Sequence, residues 1–205
     1  MIIRDQAIKQ ICERLYTTHS YTLGDKTVLD FFAREGDWQT KYIAERVEKI
    51  YAWEMNKNFE EQLRLNLPLD AEITMGNSFL LAREAEAMFD IVIFDNPQGC
   101  YGNSQEYCEH FEALPLLPNL LKEAGGLVIA NIKTEPFNYE DKTLWQQKRQ
   151  AFYGSDNTAR LSEQFVTDFY RKYFESLGYN TQFSFLVERP QEPGLFSMVS
   201  DLRKV

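Results

Sequence analysis

Short apolar runs alternate with stretches of helical periodicity over the first 132 residues of the chain. Each run is rich in bulky side chains and bounded by turn residues, which is typical of a buried strand. In the stretches between, apolar residues recur every three or four positions, as on one face of a helix. Alternation of this kind predicts a parallel sheet covered by helices on both faces. Strands are predicted at 27–32, 50–53, 71–75, 89–94 and 127–132.

Helices are predicted before and between these strands. Proline has no backbone N–H, so Pro115 and Pro118 are expected to break or kink the last of them. The chain has 205 residues, which suits one sizeable core. We therefore expect 1–205 to be a single domain, in which 1–26 form an N-terminal helix and lead-in. The predicted helices cover about 5–16, 38–47, 57–65, 78–87 and 106–123.

The last third of the chain departs from this alternation. A polar and partly basic segment at 133–158 follows the fifth strand, and we predict that it is an insertion on the substrate side of the sheet. A long helix is predicted at 159–177, where Gly178 suits the C-terminal end. Two predicted strands, 180–187 and 195–202, close the chain as a hairpin.

Acidic residues outnumber basic ones. The chain has 31 Asp+Glu and 22 Lys+Arg, which gives a formal charge of −9. Because duplex DNA is bound mainly through its phosphates, this balance argues against duplex DNA as a partner. No apolar run approaches the ~20 residues that a membrane span requires, and the N-terminus lacks a signal-peptide profile. We therefore expect a cytoplasmic protein with no membrane partner.

The three cysteines are too few, and odd in number, for a disulfide framework, which indicates a reducing compartment. Cys100, Cys108 and His110 carry atoms that can bind a metal. They lack the CxxC spacing of a zinc site, however. We predict two buried thiols and a surface histidine here, and no metal site.

Polar residues stand where four of the predicted strands end. Asp30 lies in the first strand and opens the turn that follows it, Glu54 ends the second, Asn77 follows the third, and Asp95-Asn96-Pro97 follow the fourth. Ligands of open α/β sheets bind outside the carboxyl ends of the strands, so these residues are expected to share one site. A carboxylate at the end of the second strand suits two ribose hydroxyls, and Asn77 suits the edge of an adenine.

At these positions the chain resembles the class I S-adenosylmethionine-dependent methyltransferases, over about 27–132 and the terminal hairpin. Four family motifs are matched, by Asp30 to Gly36, by Glu54, by Gly76-Asn77-Ser78 and by Asp95-Asn96-Pro97-Gln98. The resemblance implies a doubly wound, Rossmann-like α/β sheet of seven strands with the last strand antiparallel and helices on both faces. It also implies an enzyme that uses S-adenosylmethionine, bound by Asp30, Phe32, Gly36, Glu54, Asn77 and Ser78.

The first motif departs from the family pattern. Gly36 is its one glycine, and Arg34 and Trp38 occupy positions where small residues are common. Glycine serves at such positions because it has no Cβ, so larger side chains crowd a cofactor. A second hypothesis is therefore a non-catalytic binding or scaffold protein that retains the fold. A third is a nucleotide-dependent oxidoreductase, although the GxGxxG fingerprint of that class is absent.

The fourth motif predicts the methyl acceptor. Asn96-Pro97-Gln98 is similar to the Asn/Asp-Pro-Pro-aromatic motif of methyltransferases that act on adenine bases or glutamine amides. The resemblance implies that Asp95, Asn96 and Pro97 orient an amine or amide nitrogen for catalysis by positioning. Gln98 replaces the second proline, and Tyr101 is the displaced aromatic that would stack on a planar acceptor.

RNA ribose 2′-O-methyltransferases are the alternative resemblance. Residues 33–38 look like their Ala-Ala-Pro-Gly-Gly-Trp turn. Of their Lys-Asp-Lys-Glu tetrad, Lys9, Asp95 and Glu192 fall near three positions. Ala130 stands at the place of the second lysine, and Lys133 follows three residues later.

Aromatic and basic residues are interleaved in the 133–158 segment, as in surfaces that bind nucleotides. We predict that this segment, with Lys133, binds the acceptor, and that the acceptor is a small molecule or RNA. An amphipathic lid or dimer contact is the other interpretation, and the oligomeric state stays open. The residues concerned are Phe137, Tyr139, Lys142, Trp145, Lys148, Arg149, Phe152 and Tyr153.

Overall fold

The computed structural model describes residues 6–134, 143–154, 161–190 and 192–205. Nine strands are present in these ranges, seven of them in one sheet and two in a separate short hairpin. In chain order they are β1 Thr27–Asp30, β2 Lys49–Glu54, β3 Glu72–Met75, β4 Ile91–Phe94, β5 Cys100–Tyr101, β6 Tyr107–Cys108, β7 Gly125–Lys133, β8 Tyr179–Glu188 and β9 Leu195–Lys204.

The large sheet has the strand order β3-β2-β1-β4-β7-β9-β8. All neighbours from β3 to β7 pair in parallel. Strand β9 pairs antiparallel with both β7 and β8, so it is reversed relative to the other six. The predicted seven-stranded α/β sheet with an antiparallel last strand is confirmed.

Helices cover both faces of this sheet. Strand residues alternate between the faces, so Leu29 and Val92 pack in one apolar cluster while Val28 and Ile93 pack in the other. Helices α4, α5, α6 and α7 contribute to the first cluster, and α1, α2 and α3 to the second. The α-helices within the described ranges are α1 Gln6–His19, α2 Gln39–Ala44, α3 Glu60–Asn66, α4 Ser78–Arg83, α5 Leu117–Leu120, α6 Thr143–Tyr153 and α7 Glu163–Ser176.

The prediction of a helix over 106–123 is wrong. Tyr107–Cys108 pairs with Cys100–Tyr101 as a hairpin, and α5 is the one α-helical turn of the segment. Gln105 and Glu109 adopt the left-handed conformation, with φ of 53° and 48°, which an α-helix does not tolerate. The apolar spacing of this segment therefore reflects packing of a loop and not a helical face.

The boundaries of α7 and α1 differ from the predicted ones by a few residues. The Ser162 hydroxyl accepts the Phe165 N–H at 3.1 Å and caps α7, so this helix begins at Glu163; the first two residues of the predicted helix, 159 and 160, lie outside the described residues. Gly178, at φ +85°, follows the helix as predicted. Helix α1 extends to His19, three residues beyond the predicted end.

Part of the predicted 133–158 insertion is helix α6, Thr143–Tyr153. Phe137, Tyr139 and Lys142 lie outside the described residues. In the part of the chain that the structure describes, no helix is both long and apolar enough to cross a membrane.

Candidate functional site

A cleft of about 510 Å³ opens at the carboxyl ends of β1, β2 and β4. Its volume lies within the range of small-molecule sites. Aromatic rings form much of its wall, with polar groups at a few points, as expected of a site for a largely planar ligand. The lining includes Phe31, Phe32, Arg34, Glu54, Met55, Asn56, Phe59, Ser78, Phe79, Asp95, Pro97 and Tyr101.

Glu54 presents a fixed carboxylate to this cleft. Its Oε2 accepts the Arg34 N–H at 2.9 Å, and its Oε1 accepts the Asn56 N–H at 2.6 Å. Only 6% of the residue is exposed. Each carboxylate oxygen accepts up to two hydrogen bonds, so each retains one position for a ligand hydroxyl. Glu54 lies at the end of the second strand, as predicted, and its carboxylate has room to accept the two hydroxyls of a diol.

The turn after β1 contains two residues in the left-handed conformation, Arg34 at φ +49° and Gly36 at φ +66°. A Cβ on Gly36 would lie 2.6 Å from Leu63 Cδ1, so a larger residue here would displace the Leu63 side chain of α3 and would also be strained at this φ. Arg34 holds a conformation that costs a non-glycine residue roughly 1–2 kcal/mol. Its guanidinium lies 5.6 Å from the Phe59 ring, at the wall of the cleft.

Asp30 lies behind this turn and lines none of the clefts at the site. It is fully buried. Its Oδ2 accepts the Thr40 hydroxyl at 2.5 Å and its Oδ1 accepts the Phe32 N–H at 3.2 Å. Burial, followed by the nearby charge of Asp95, raises the pKa of Asp30 to about 7, although both hydrogen bonds act in the opposite direction. Asp30 therefore titrates near neutral pH.

Asp95 lies between two clefts. It lines the large cleft and also a second cleft of about 370 Å³. Its Oδ1 accepts hydrogen bonds from the Asn131 amide and, at 3.0 Å, from Arg189. Its Oδ2 accepts none from the residues that the structure describes, which leaves an acceptor atom for a ligand at the junction of the clefts.

The second cleft adjoins the first through Arg34, Asp95 and Pro97, which line both. Arg189 lies on its wall with its guanidinium 5.0 Å from the Trp38 ring. The two clefts meet at the carboxyl end of β4. If each cleft held a ligand, the two ligands would approach each other beside Asp95 and Pro97.

Asn96 is buried, although it is among the residues that line the second cleft. Its Oδ1 accepts the Asn131 N–H at 3.2 Å, and its Nδ2 donates to the Asn131 carbonyl at 3.3 Å. These bonds fasten the loop after β4 to strand β7. In this conformation Asn96 positions the loop and lines the second cleft only, while Asp95 and Pro97 line both clefts.

Asn77 and Ser78 lie at the start of α4. The Asn77 Oδ1 accepts the Phe79 N–H at 2.9 Å, which caps the helix. Ser78 lines the large cleft together with Phe32 and Phe79. Asn77 itself is not among the residues that line it.

Tyr101 lines the large cleft with its ring 5.8 Å from that of Phe32, and its hydroxyl donates to the Glu109 carbonyl at 2.6 Å. Lys133 ends β7, and its Nζ donates to the Pro193 carbonyl at 2.9 Å. Lys133 lines neither of the two clefts.

The three residues near positions of the Lys-Asp-Lys-Glu tetrad do not all lie at the same cleft. Asp95 and Glu192 line the second cleft together. Lys9 lies on α1, with its Nζ 5.6 Å from the Tyr42 ring, and does not line that cleft.

Sequence reasoning missed several residues of the site. Asn56 and Phe59 lie within five residues after Glu54, so their position beyond the end of a strand could have indicated them. Arg189 directly follows the first strand of the terminal hairpin, and this position was a weaker signal. For Thr40 and Asn131 the sequence offered none, since each acts through a partner distant in the chain.

His110 is buried and not at the surface as predicted. Its Nε2 lies 2.5 Å from the Tyr170 hydroxyl, among the rings of helices α6 and α7. Burial lowers the pKa of His110 to about 3, so the ring is neutral. Across the described ranges, no group of three His, Cys, Asp or Glu side chains could hold a metal ion.

No protein-family model matches the chain. No curated protein matches it either. Solved structures do match over nearly the whole chain. TYW2 of M. jannaschii, in complex with AdoMet, is 17% identical with a TM-score of 0.57, over 100% of this chain and 79% of that one.

The 1,6-didemethyltoxoflavin-N1-methyltransferase of Burkholderia thailandensis, with its substrate and S-adenosylhomocysteine bound, is 16% identical with a TM-score of 0.58. The alignment covers 98% of this chain and 79% of that one. At 16–17% identity these comparisons show a shared fold. The protein has the fold of the class I S-adenosylmethionine-dependent methyltransferases.

Proposed function

We propose that the protein is an S-adenosylmethionine-dependent methyltransferase that methylates an amine or amide nitrogen. The observation that carries this proposal is the position of Asp95 and Pro97, which line both clefts where the two meet. Methyl transfer requires two ligands held end to end, and this junction is where their reactive ends would lie. The AdoMet and S-adenosylhomocysteine bound by structural neighbours support the choice of cofactor.

The large cleft fits an adenosyl cofactor. The Glu54 carboxylate would accept the two ribose hydroxyls in the positions that its backbone hydrogen bonds leave open. Phe32, Phe79 and Tyr101 offer ring faces and edges for a planar base. The Asp95 carboxylate lies at the junction, where its charge would complement a ligand that carries a sulfonium and an ammonium group.

The residues of this chain would act by orientation and by accepting a proton. When bound, the cofactor supplies an electrophilic methyl group. Asp95 Oδ2 and the Pro97 carbonyl would accept N–H bonds from the acceptor, which turns the nitrogen lone pair toward the large cleft. The methyl group would pass to this nitrogen, and the electron pair of the broken C–S bond would stay with the cofactor's sulfur. Asp95 would then take the proton that the nitrogen releases.

Calorimetric titration of the full chain with S-adenosylmethionine and S-adenosylhomocysteine tests the cofactor, with reduced NAD as the control nucleotide. We expect micromolar binding of both adenosyl ligands and none of reduced NAD. Binding of neither adenosyl ligand would favour the non-catalytic scaffold hypothesis. Binding of reduced NAD alone would favour an oxidoreductase.

A second candidate is RNA ribose 2′-O-methylation, favoured by the shared position of Asp95 and Glu192 on the second cleft. Transfer of a labelled methyl group, first to amines and amides and then to RNA, distinguishes the two. Label on RNA that protects the adjacent phosphodiester from alkali would mark a ribose hydroxyl as the acceptor. Label on a nitrogen would exclude this candidate.

A further inference from the structure

Cys100 and Cys108 lie directly opposite each other in the β5–β6 hairpin. The residues next to the cysteines are hydrogen-bonded across the hairpin, since the Glu109 N–H donates to the Gly99 carbonyl at 3.0 Å. In an antiparallel ladder this pattern makes Cys100 and Cys108 a non-hydrogen-bonded pair. Such pairs have their Cα atoms about 4.5 Å apart and their side chains on one face, within the range that a disulfide spans.

The two thiols differ in access. Cys108 is fully buried, whereas Cys100 is half-buried and lines a cleft of about 250 Å³ between the hairpin and α6. Burial first, and then the charges of Glu109 and Cys100, raise the pKa of Cys108. A small oxidant would therefore reach Cys100 first, and Cys108 would be the resolving thiol.

We propose that Cys100 and Cys108 form an intramolecular disulfide when the protein meets a hydroperoxide. With hydrogen peroxide, the Cys100 thiolate attacks one oxygen, which gives a sulfenic acid and releases the other oxygen as water after proton transfer. The Cys108 sulfur then displaces the sulfenic oxygen as a second water and forms the S–S bond. Hydrogen peroxide accepts the two electrons, so two thiols and one peroxide yield one disulfide and two waters.

The hairpin links this chemistry to the large cleft. Tyr101 follows Cys100 and lines that cleft, while Tyr107 precedes Cys108 and stacks on Phe79 at 3.7 Å. A disulfide in the existing register would fix both tyrosines in place. The inference concerns the thiols and the hairpin and does not depend on the proposed methyl transfer.

The test is mild treatment of the full chain with hydrogen peroxide, alkylation of the remaining thiols in denaturant, and mass analysis. Before alkylation, we expect the treated chain to be lighter than the reduced chain by two hydrogens. After alkylation, we expect one labelled thiol instead of three and a disulfide-linked peptide pair that contains Cys100 and Cys108. Dithiothreitol should reverse all of these changes. The melting temperature of the oxidised form should exceed that of the reduced form by about 5 °C, because the link constrains the unfolded chain.

Two variants make the result specific. Cys100→Ser should lose both the link and the thermal difference. Cys12→Ser should keep both, since Cys12 lies on α1 against the opposite face of the sheet. Three free thiols after treatment, a sulfinic acid at Cys100 beside a reduced Cys108, or a link to Cys12 would each overturn the proposal.

Discussion

The Asp95 carboxylate accepts a hydrogen bond from the Arg189 guanidinium at 3.0 Å, across a separation of 94 residues in the chain. The pair joins the loop after β4 to the end of β8 and is mostly shielded from solvent. Asn131, on β7, donates to the same oxygen. These contacts occupy Oδ1, so Oδ2 is the carboxylate oxygen that stays available on a residue lining both clefts.

Arg189→Ala should reduce methyl transfer at least tenfold while changing S-adenosylhomocysteine affinity less than twofold. Removing the guanidinium frees Asp95 to rotate, and loss of a charged hydrogen bond of this kind is worth about 1.5–3 kcal/mol. Initial rates and calorimetry on the same samples measure the two effects. Arg203→Ala is the matched control, since Arg203 pairs with Asp201 away from the site. Equal losses of rate and of affinity would place Arg189 in the cofactor cleft.

Glu54→Ala should weaken binding of S-adenosylhomocysteine by at least about 1.5–3 kcal/mol, because each charged hydrogen bond from the ribose to the carboxylate contributes roughly this much. Calorimetric titration provides the dissociation constant. Glu72→Ala, on the neighbouring strand with an exposed side chain, serves as the control and should bind normally. Since Glu54 also holds the Arg34 and Asn56 N–H groups, the melting temperature of each variant must be compared. Unchanged affinity in a folded Glu54→Ala variant would remove Glu54 from the site.

Arg34→Gly should be more stable than Arg34→Ala by roughly 1 kcal/mol. Both variants lose the guanidinium, but only glycine relieves the left-handed backbone at φ +49°. Urea unfolding of the two variants under identical conditions measures the difference. If alanine proves as stable as glycine, the turn does not hold this conformation in solution.

Asp30 should make the protein less stable as the pH rises toward 8. Its pKa is raised to about 7 in the fold, against an ordinary value of 3.8, so its stabilising contribution is complete below about pH 4 and is lost as the pH rises through 7. The free energy of unfolding of the natural protein should therefore decline more steeply between pH 5 and pH 8 than that of Asp30→Asn. Urea unfolding across this range measures both slopes, and parallel slopes would contradict the raised pKa.

Much of the fold could be predicted because burial leaves a local trace in the sequence. Val28 and Leu29 face opposite apolar clusters, so a strand buried on both sides is a continuous apolar run. Gly178 predicted a helix end for an equally local reason. The 106–123 segment was predicted wrongly because the same apolar spacing also arises in a packed loop, where only pairing with Cys100–Tyr101 distinguishes the two.

For the candidate site, the sequence by itself determined that Glu54, Asn77 and Asp95 follow strands of one sheet, and hence that they share an edge. Only the tertiary structure decided that Asn77 caps a helix, that Gly36 accommodates Leu63, and that Asp95 is held by Arg189. The physical reason is the range of the interactions. Burial and chain direction act between near neighbours and mark the sequence, whereas hydrogen bonds and close packing join atoms that only the folded chain brings together.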